Sequence, residues 1–416
     1  MDARIIIEGP TRLFGEAEIS RSKNAVLPEM AACLLTEEPI TLKDVPDLLD
    51  VNTMTRILLG MGVQSQSSGG SLTLRAGELG SVKVPYEHAH RMRASVLLMG
   101  ALLAREGRAE LSLPGGCAIG TRPIDLHLKG FASMGAKIEQ GEDFIIASGK
   151  LRGARVYLDI PSVGATENIL LAATLSEGQT MIENAAREPE IIDLCELLRK
   201  MGADIRGAGT DMITITGVNR LHGATHRPIA DRIEAATYMI AAAATGGDVF
   251  LKNANSAHLR SVINKLTACG AKVIDAPNGI RVRAVSELSP IYIRTASYPG
   301  FPTDAQAQFM ALCCLARGTS VITESIFENR FMHVSELRRM GANIRVEDRT
   351  AIIEGTQKLF GANVNATDLR AGAAMVIAAL CAFGESVIHD PHHIYRGYEL
   401  IGEKLTRLGA KIKMVE

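Results

Sequence analysis

One short pattern recurs along the whole chain and limits what it can fold into. Leu-x-x-x-Gly, once with Phe in the leading place, followed by Ala or Val, appears as LLGMGV, FASMGA, LRKMGA, LTACGA, LRRMGA and LTRLGA. It places glycines at Gly62, Gly135, Gly202, Gly270, Gly341 and Gly409. Successive glycines are 67 to 73 residues apart, and a period of about 69 divides 416 residues into six, so the repeat is expected to account for the whole chain. An apolar helical stretch leads into five of the glycines. After most of them come two short alternating runs separated by a turn, as in AKIEQGEDFIIAS and ADIRGAGTDMITITG. Each unit therefore reads as helix, glycine cap, hairpin.

A second shared segment opens the units: TRLFGEAEI, GKLRGARVYL, NRLHGATHRPI and QKLFGANVNA, with weaker versions at ELGSVKV and SELSPIYI. Ala-rich runs such as EAATYMIAAAA and GAAMVIAALC follow, and their small side chains suit closely packed helices. The chain starts on RIIIEG, which matches the second hairpin strand of other units (ITITG, AIIEG), while the last unit stops after KIKMVE. The first strand is therefore expected to complete the sixth unit, bringing the two ends of the sequence into one domain. Six units then divide three and three: domain one over residues 1–20 and 231–416, domain two over 21–230. The competing architecture is a single solenoid of six stacked units.

Composition narrows the function. With 45 Lys and Arg against 46 Asp and Glu, the net charge of −1 excludes a generally basic nucleic-acid binder. Aromatic residues are 4% of the chain and Trp is absent, which disfavours base-stacking or sugar-stacking platforms. MDARIIIEGP lacks the charged and apolar regions of a signal peptide, and the apolar stretch at 371–383 is too short for a membrane span and reads as a buried helix. A cytoplasmic protein with no membrane insertion is expected. Seven cysteines (33, 117, 195, 269, 313, 314 and 381), an odd number without a CxxC pair, argue against a disulfide framework and a structural zinc site. No metal and no cofactor are expected.

Units that bury similar cores should depart from the shared pattern where chemistry is done. The clearest break is PGGCAIGTRPIDLHL at 114–128, where three glycines within seven residues point to an exposed loop. A thiol there, Cys117, is accessible, and Arg122 nearby would lower its pKa. The other six cysteines lie in apolar runs and read as small buried hydrophobes.

At these residues the sequence resembles the UDP-N-acetylglucosamine enolpyruvyl transferases of bacterial peptidoglycan synthesis. The resemblance spans essentially the whole chain and rests on ten motifs in order: SKNAVLP (22–28), MRAS (92–95), PGGCAIGTRPIDLH (114–127), SVGAT (162–166), NAAREPEI (184–191), DRIEAAT (231–237), FPTDAQAQF (301–309), FENRFMH (327–333), ATDLRAG (366–372) and RGYE (396–399). It implies an α/β protein, a two-domain inside-out α/β barrel built from six helix-hairpin repeats, three per domain. It also implies transfer of the enolpyruvyl group of phosphoenolpyruvate to the 3-hydroxyl of UDP-N-acetylglucosamine, with release of phosphate by addition and elimination. These two small molecules are the implied partners; protein partners are not indicated.

Both substrates are polyanions, so the site needs fixed cations, preferably Arg forks. The resemblance points to Lys23, Arg93, Arg122, Arg330, Arg370 and Arg396. These fall on both expected domains, which supplies a reason for closure around ligand. Arg122, Arg370 and Arg396 stand beside Gly, Pro or Asp in what read as loop-like breaks. Asp304, in FPTD, is implied as base or orienting group at the sugar hydroxyl. Cys117 is implied as acid toward phosphoenolpyruvate or as the site of a covalent adduct. Asn24, Arg122, Pro123, Asp125, Leu126, Ser162, Val163, Gly164, Ile326, Phe327 and Asn329 are implied to line the nucleotide-sugar pocket. Asp368 is implied in the reactive centre, with a helix N-cap as its competing explanation.

Departures from the family pattern are Arg21 and Ser22 before Lys23, where many relatives have Gly and Ala, Leu49 where some have lysine, and Tyr395 where Asp is common. They bear on hinge stiffness and affinity more than on reaction type. The rival enzyme is the sister transferase acting on shikimate phosphate, whose usual route uses no loop cysteine. A silent UDP-sugar-binding paralogue is disfavoured by the presence of both Cys117 and Asp304. A cysteine hydrolase lacks a histidine in a comparable break, and His127 reads as a loop-supporting residue.

Overall fold

The computed structural model describes residues 3–84, 92–112, 124–284, 287–356 and 358–415. Cys117, Arg122 and Pro123 lie outside them.

Helices alternate along the chain between a buried and a peripheral kind. In order they are α1 (Lys23–Ala32) and α2 (Leu49–Gly60), α3 (Leu98–Glu106) and α4 (Asp125–Ser133), α5 (Val163–Ala173) and α6 (Pro189–Lys200), α7 (Arg232–Ala244) and α8 (Arg260–Ala268), α9 (Gln306–Cys313) and α10 (His333–Arg339), α11 (Leu369–Cys381) and α12 (Ile401–Arg407). The odd-numbered helices are the Ala-rich runs. Every residue of α11 from Arg370 to Cys381 is buried, as is α7 from Ile233 to Ala243. The apolar stretch from residue 371 is thus a core helix, as its length implies. Among the described residues no helix is long and apolar enough to cross a membrane.

All six Leu-x-x-x-Gly motifs end a helix in the same way. Each glycine takes a left-handed backbone, with φ between 93° and 104°. The next residue then donates its N–H to the carbonyl of the motif's leading residue: Val63 to Leu58, Ala136 to Phe131, Ala203 to Leu198, Ala271 to Leu266, Ala342 to Leu337 and Ala410 to Leu405, at 2.9 to 3.1 Å. This is the Schellman closure, which needs a residue without Cβ at the positive-φ position. It explains both the glycine and its spacing from the leading apolar residue.

Among the described residues the strands form six four-stranded sheets of one design. A short edge strand runs parallel to the second strand, and the second, third and fourth are antiparallel in turn; Arg155–Tyr157, Gln179–Glu183, Met212–Thr216 and Asp204–Arg206 are one example. Side chains alternate, so Ile213 and Ile215 of Met212–Thr216 face the core while Met212 is exposed. Arg4–Gly9 lies between Gly384–His389 and Lys411–Val415, antiparallel to both. The first strand therefore completes the last sheet, as RIIIEG predicts.

The chain divides into two compact units: residues 3–20 with Ala230 onward, and the described part of Arg21–Ile229. In each, three buried helices touch one another beneath three sheets: α7, α9 and α11 in the first unit, α1, α3 and α5 in the second. Close approach is visible at Gly100 of α3, where a Cβ would lie 2.1 Å from the Asn168 carbonyl oxygen of α5. The six cysteines other than Cys117 are all buried and free.

Candidate active site

In the first unit the chemistry-bearing residues gather at the N-terminal ends of the buried helices. Asp304 sits in the single turn Thr303–Ala305 that leads into α9, and its side chain is 29% exposed. Arg330 donates to its Oδ1 at 2.8 Å and Arg370 to its Oδ2 at 3.2 Å. Both guanidiniums are buried. Burial pushes the Asp304 carboxyl up, but Arg370 and Arg330, with Arg232 behind them, outweigh it and hold the group well below the usual carboxylate range. Three of the residues picked from sequence are thus one ionic cluster.

The guanidiniums are aimed by further groups that the sequence motifs did not single out. Arg330 also donates to Thr303 Oγ1 at 2.9 Å, and its Cζ lies 5.1 Å from the centroid of the Phe327 ring. Buried Glu324 ties this corner together. Its Oε2 accepts from Thr303 Oγ1 at 2.7 Å, and its Oε1 accepts from Thr295 Oγ1 and from the backbone N–H groups of Ile326 and Phe327. Arg370 donates to the buried Tyr398 hydroxyl at 3.2 Å. That hydroxyl in turn meets Thr237 Oγ1 at 2.9 Å and Gln308 Nε2 at 3.3 Å. Burial keeps the Tyr398 phenol protonated. A signal for Glu324 was present, an acidic residue directly after the alternating strand Thr319–Thr323; Tyr398 lay in RGYE, a motif used only for its arginine.

Arg370 is not on a loop, as its neighbours suggested. It is the second residue of α11, and Asp368 is the N-cap, accepting through Oδ1 from the Arg370 N–H at 2.8 Å and the Ala371 N–H at 3.1 Å. The Asp-Leu-Arg spacing is the signature of a capped first turn, which fixes the base of the Arg370 side chain. Capping is therefore an observed role of Asp368. Arg396 follows the short helical turn His392–Tyr395 and is half-buried. Asn329 is in the loop after Glu324.

In the second unit, Lys23 opens α1, buried, and donates to Asp50 Oδ2 on α2 at 2.9 Å. Asn24 is the next residue of that helix. Ser162 caps α5 through its hydroxyl, so Ser162, Val163 and Gly164 form the helix entry, where backbone N–H groups and the helix dipole favour an anion. Buried His127 packs beside it; a Cβ on Gly164 would come 3.3 Å from the imidazole. Asn168 donates its amide N–H to His127 Nδ1 at 2.9 Å and another to the Val96 carbonyl, so the imidazole proton is on Nε2. Burial, with Arg93 adding to it, lowers the His127 pKa to about 3. It is a neutral packing histidine, in keeping with a supporting role. Asp125 and Leu126 begin α4, and Arg93 begins the 3-10 stretch Arg93–Leu97.

A family model described as EPSP synthase (3-phosphoshikimate 1-carboxyvinyltransferase) matches residues 7–405. UDP-N-acetylglucosamine 1-carboxyvinyltransferase 2 of Carboxydothermus hydrogenoformans is 56% identical over 415 residues, 99% of each chain. UDP-N-acetylglucosamine 1-carboxyvinyltransferase 1 of Caldanaerobacter subterraneus is 53% identical over 413 residues, again 99% of each. The protein of that name from Halalkalibacterium halodurans is 52% identical over 99% of this chain and 94% of its own. Among solved structures, the enolpyruvyl transferase NikO from Streptomyces tendae matches with a TM-score of 0.91 at 24% identity, over 100% of this chain and 99% of that one. An EPSP synthase from Acinetobacter baumannii matches with a TM-score of 0.76 at 22% identity over 100% of both, so these two share the fold. With more than half its residues shared with the first two curated relatives from end to end, this chain belongs to the enolpyruvyl transferase family and, within it, to the UDP-N-acetylglucosamine 1-carboxyvinyltransferases.

Proposed function

We propose that this protein transfers the enolpyruvyl group of phosphoenolpyruvate to the 3-hydroxyl of UDP-N-acetylglucosamine and releases phosphate, the first committed step of peptidoglycan precursor synthesis. The observation that carries the reading is the 52–56% identity to transferases of that name along the full chain. The sister reaction on shikimate phosphate is less well supported, because the solved EPSP synthase is only 22% identical. The reaction is assigned to the cytoplasm. The fold is read as an inside-out α/β barrel of six helix-hairpin repeats, three in each domain, with residues 1–20 and 231–416 as the catalytic half around Asp304 and residues 21–230 carrying the Cys117 loop.

The chemistry asks for three proton movements. In the addition, the sugar oxygen bonds to C2 of phosphoenolpyruvate, the hydroxyl proton leaves, and the methylene carbon gains a proton. In the elimination, that carbon loses a proton and the C–O bond to phosphate breaks. Asp304 is assigned to the sugar hydroxyl. As it stands it is a weak base, because two guanidiniums stabilise its anion. An anionic substrate that drew those guanidiniums onto itself would raise the basicity of Asp304, so that the base is armed only when substrate is bound. Arg330 and Arg370, with Lys23, Arg93, Arg122 and Arg396, are assigned to the phosphate and carboxylate groups. Cys117 is assigned as proton donor or adduct-forming nucleophile on phosphoenolpyruvate. Asn24, Arg122, Pro123, Asp125, Leu126, the Ser162–Gly164 helix entry, Ile326, Phe327 and Asn329 are assigned to the nucleotide sugar, and Asp368 to the reactive centre.

The test is phosphate release from phosphoenolpyruvate with each acceptor in turn. Release with UDP-N-acetylglucosamine and none with shikimate 3-phosphate is expected. No release with UDP-N-acetylglucosamine from folded protein overturns the assignment.

A further inference from the structure

The second unit buries a set of polar side chains that the transferase chemistry does not use. Glu29 of α1 and Asp193 of α6 converge with His226, the last residue of the edge strand Ala224–His226. All three are at most 2% exposed, and one ligand-capable atom from each lies within 4.8 Å of the others. His226 Nε2 is 2.9 Å from Asp193 Oδ1 and 3.4 Å from Glu29 Oε1. The shorter of these is a hydrogen bond; donor atoms bound at about 2.0–2.1 Å around a tetrahedral ion lie about 3.3 Å apart, so an ion would part that pair by only a few tenths of an ångström.

Two buried carboxyl groups at this cluster have oxygens without a hydrogen-bond partner. Glu29 is fully buried, and neither of its oxygens has a hydrogen-bond partner, although Oε1 lies 3.4 Å from His226 Nε2. Native structures rarely leave a buried carboxyl in that state. Glu167 of α5 is the second. It is buried, its Oε1 also lacks a partner, and burial, then Glu190, Glu188 and Glu29, push its carboxyl well up. Burial likewise holds Glu29 well above the ordinary carboxyl value.

We propose that Glu29, Asp193 and His226 form a three-ligand site for a divalent first-row transition metal ion of the zinc type, with a fourth position open to water. One imidazole and two carboxylates suit such an ion. The ion would tie α1 and α6 to the strand that precedes the chain's return to the other unit, since Asp193 Oδ2 also accepts the Ile229 N–H at 2.8 Å. Its role is structural and lies outside the transfer reaction.

The His226 ring sits between this cluster and Lys200, whose Nζ is 2.8 Å from Nδ1. Binding an ion at Nε2 requires the proton shared with Asp193 to leave, as metal binding to a histidine generally does.

The experiment uses chelator-treated full-length protein titrated with Co2+, read by visible absorption, with Zn2+ as competitor. One equivalent of Co2+ displaceable by Zn2+, a raised midpoint of thermal unfolding, and a Kd weakened at least about tenfold in Glu29→Gln and His226→Gln are expected. Asp193→Asn should weaken binding to a similar degree. If His226→Gln does not fold, Glu29→Gln and Asp193→Asn decide. The proposal is overturned if folded protein shows no saturable Co2+ binding at millimolar metal, or if Glu29→Gln leaves affinity and stoichiometry unchanged, which assigns the binding to thiols elsewhere.

Discussion

Arg330 divides its guanidinium between two neighbouring residues, donating to Asp304 Oδ1 at 2.8 Å with one nitrogen and to Thr303 Oγ1 at 2.9 Å with another. A turn residue and an acid are thereby set by one planar fork, so the direction of the Asp304 carboxylate is determined from a loop 26 residues further along the chain.

Asp304→Asn should leave the protein folded and lower turnover by about a hundredfold or more, the scale of lost acid–base catalysis. Phosphate release under saturating substrates measures it, and unchanged turnover would remove Asp304 from the mechanism.

Stability should carry the same ion cluster as a pH signature. The folded-state pKa of Asp304 is depressed, so its contribution is present above the unfolded carboxyl value of about 3.9 and fades as pH falls through the folded value. The difference in unfolding midpoint between parent and Asp304→Asn should therefore be level from pH 7 to about 5 and change steadily below about 4. Thermal melts across that range check it.

Tyr398→Phe removes the hydroxyl that Arg370, Gln308 and Thr237 share. A loss of about 1–2 kcal/mol in urea unfolding is expected from the unsatisfied buried donors. If the role is to aim Arg370, KM for phosphoenolpyruvate should rise several-fold as well, an effect that a purely structural role would not produce.

The cysteines should separate sharply by reactivity. Burial pushes the thiols of Cys33, Cys195, Cys314 and Cys381 up to about 12 and that of Cys269 to about 11, and raises Cys313 too. At neutral pH, iodoacetamide should modify one thiol per folded chain, and Cys117→Ser should abolish the reaction. Mass spectrometry of the intact protein reads the count. A thiol-directed epoxide should label Cys117 faster with nucleotide sugar bound if ligand drives closure.

Gly202→Ala tests the helix ending that recurs six times. At φ 104° an alanine is strained, and its Cβ would lie 3.3 Å from the His222 ring. About 1–2 kcal/mol of destabilisation is expected in urea unfolding, with little change in KM.

Several features of this protein were legible residue by residue. Leu-x-x-x-Gly-Ala encodes its own geometry, because the Schellman closure joins residues five apart and needs a glycine that any sequence comparison can see. RIIIEG announced its place beside KIKMVE because strands of like pattern occupy like positions. The cationic set was legible only through resemblance, since nothing local distinguishes Arg330 from a surface arginine such as Arg339 of the same segment.

What the sequence determined by itself was local or periodic: the helix ends, the hairpins, the buried cysteines and the family. Only the tertiary structure decided that Asp304 faces two buried guanidiniums, that Arg370 rises from a helix turn capped by Asp368, and that Glu324 and Tyr398 aim the two arginines. It alone decided that Glu29 meets Asp193 and His226, which are 164 and 197 residues away. The physical reason is that backbone caps act over a few residues, whereas the ionisation of a carboxylate depends on charges within a few ångströms in space. In a fold that joins strands from opposite ends of the chain, those charges come from segments that no local pattern connects.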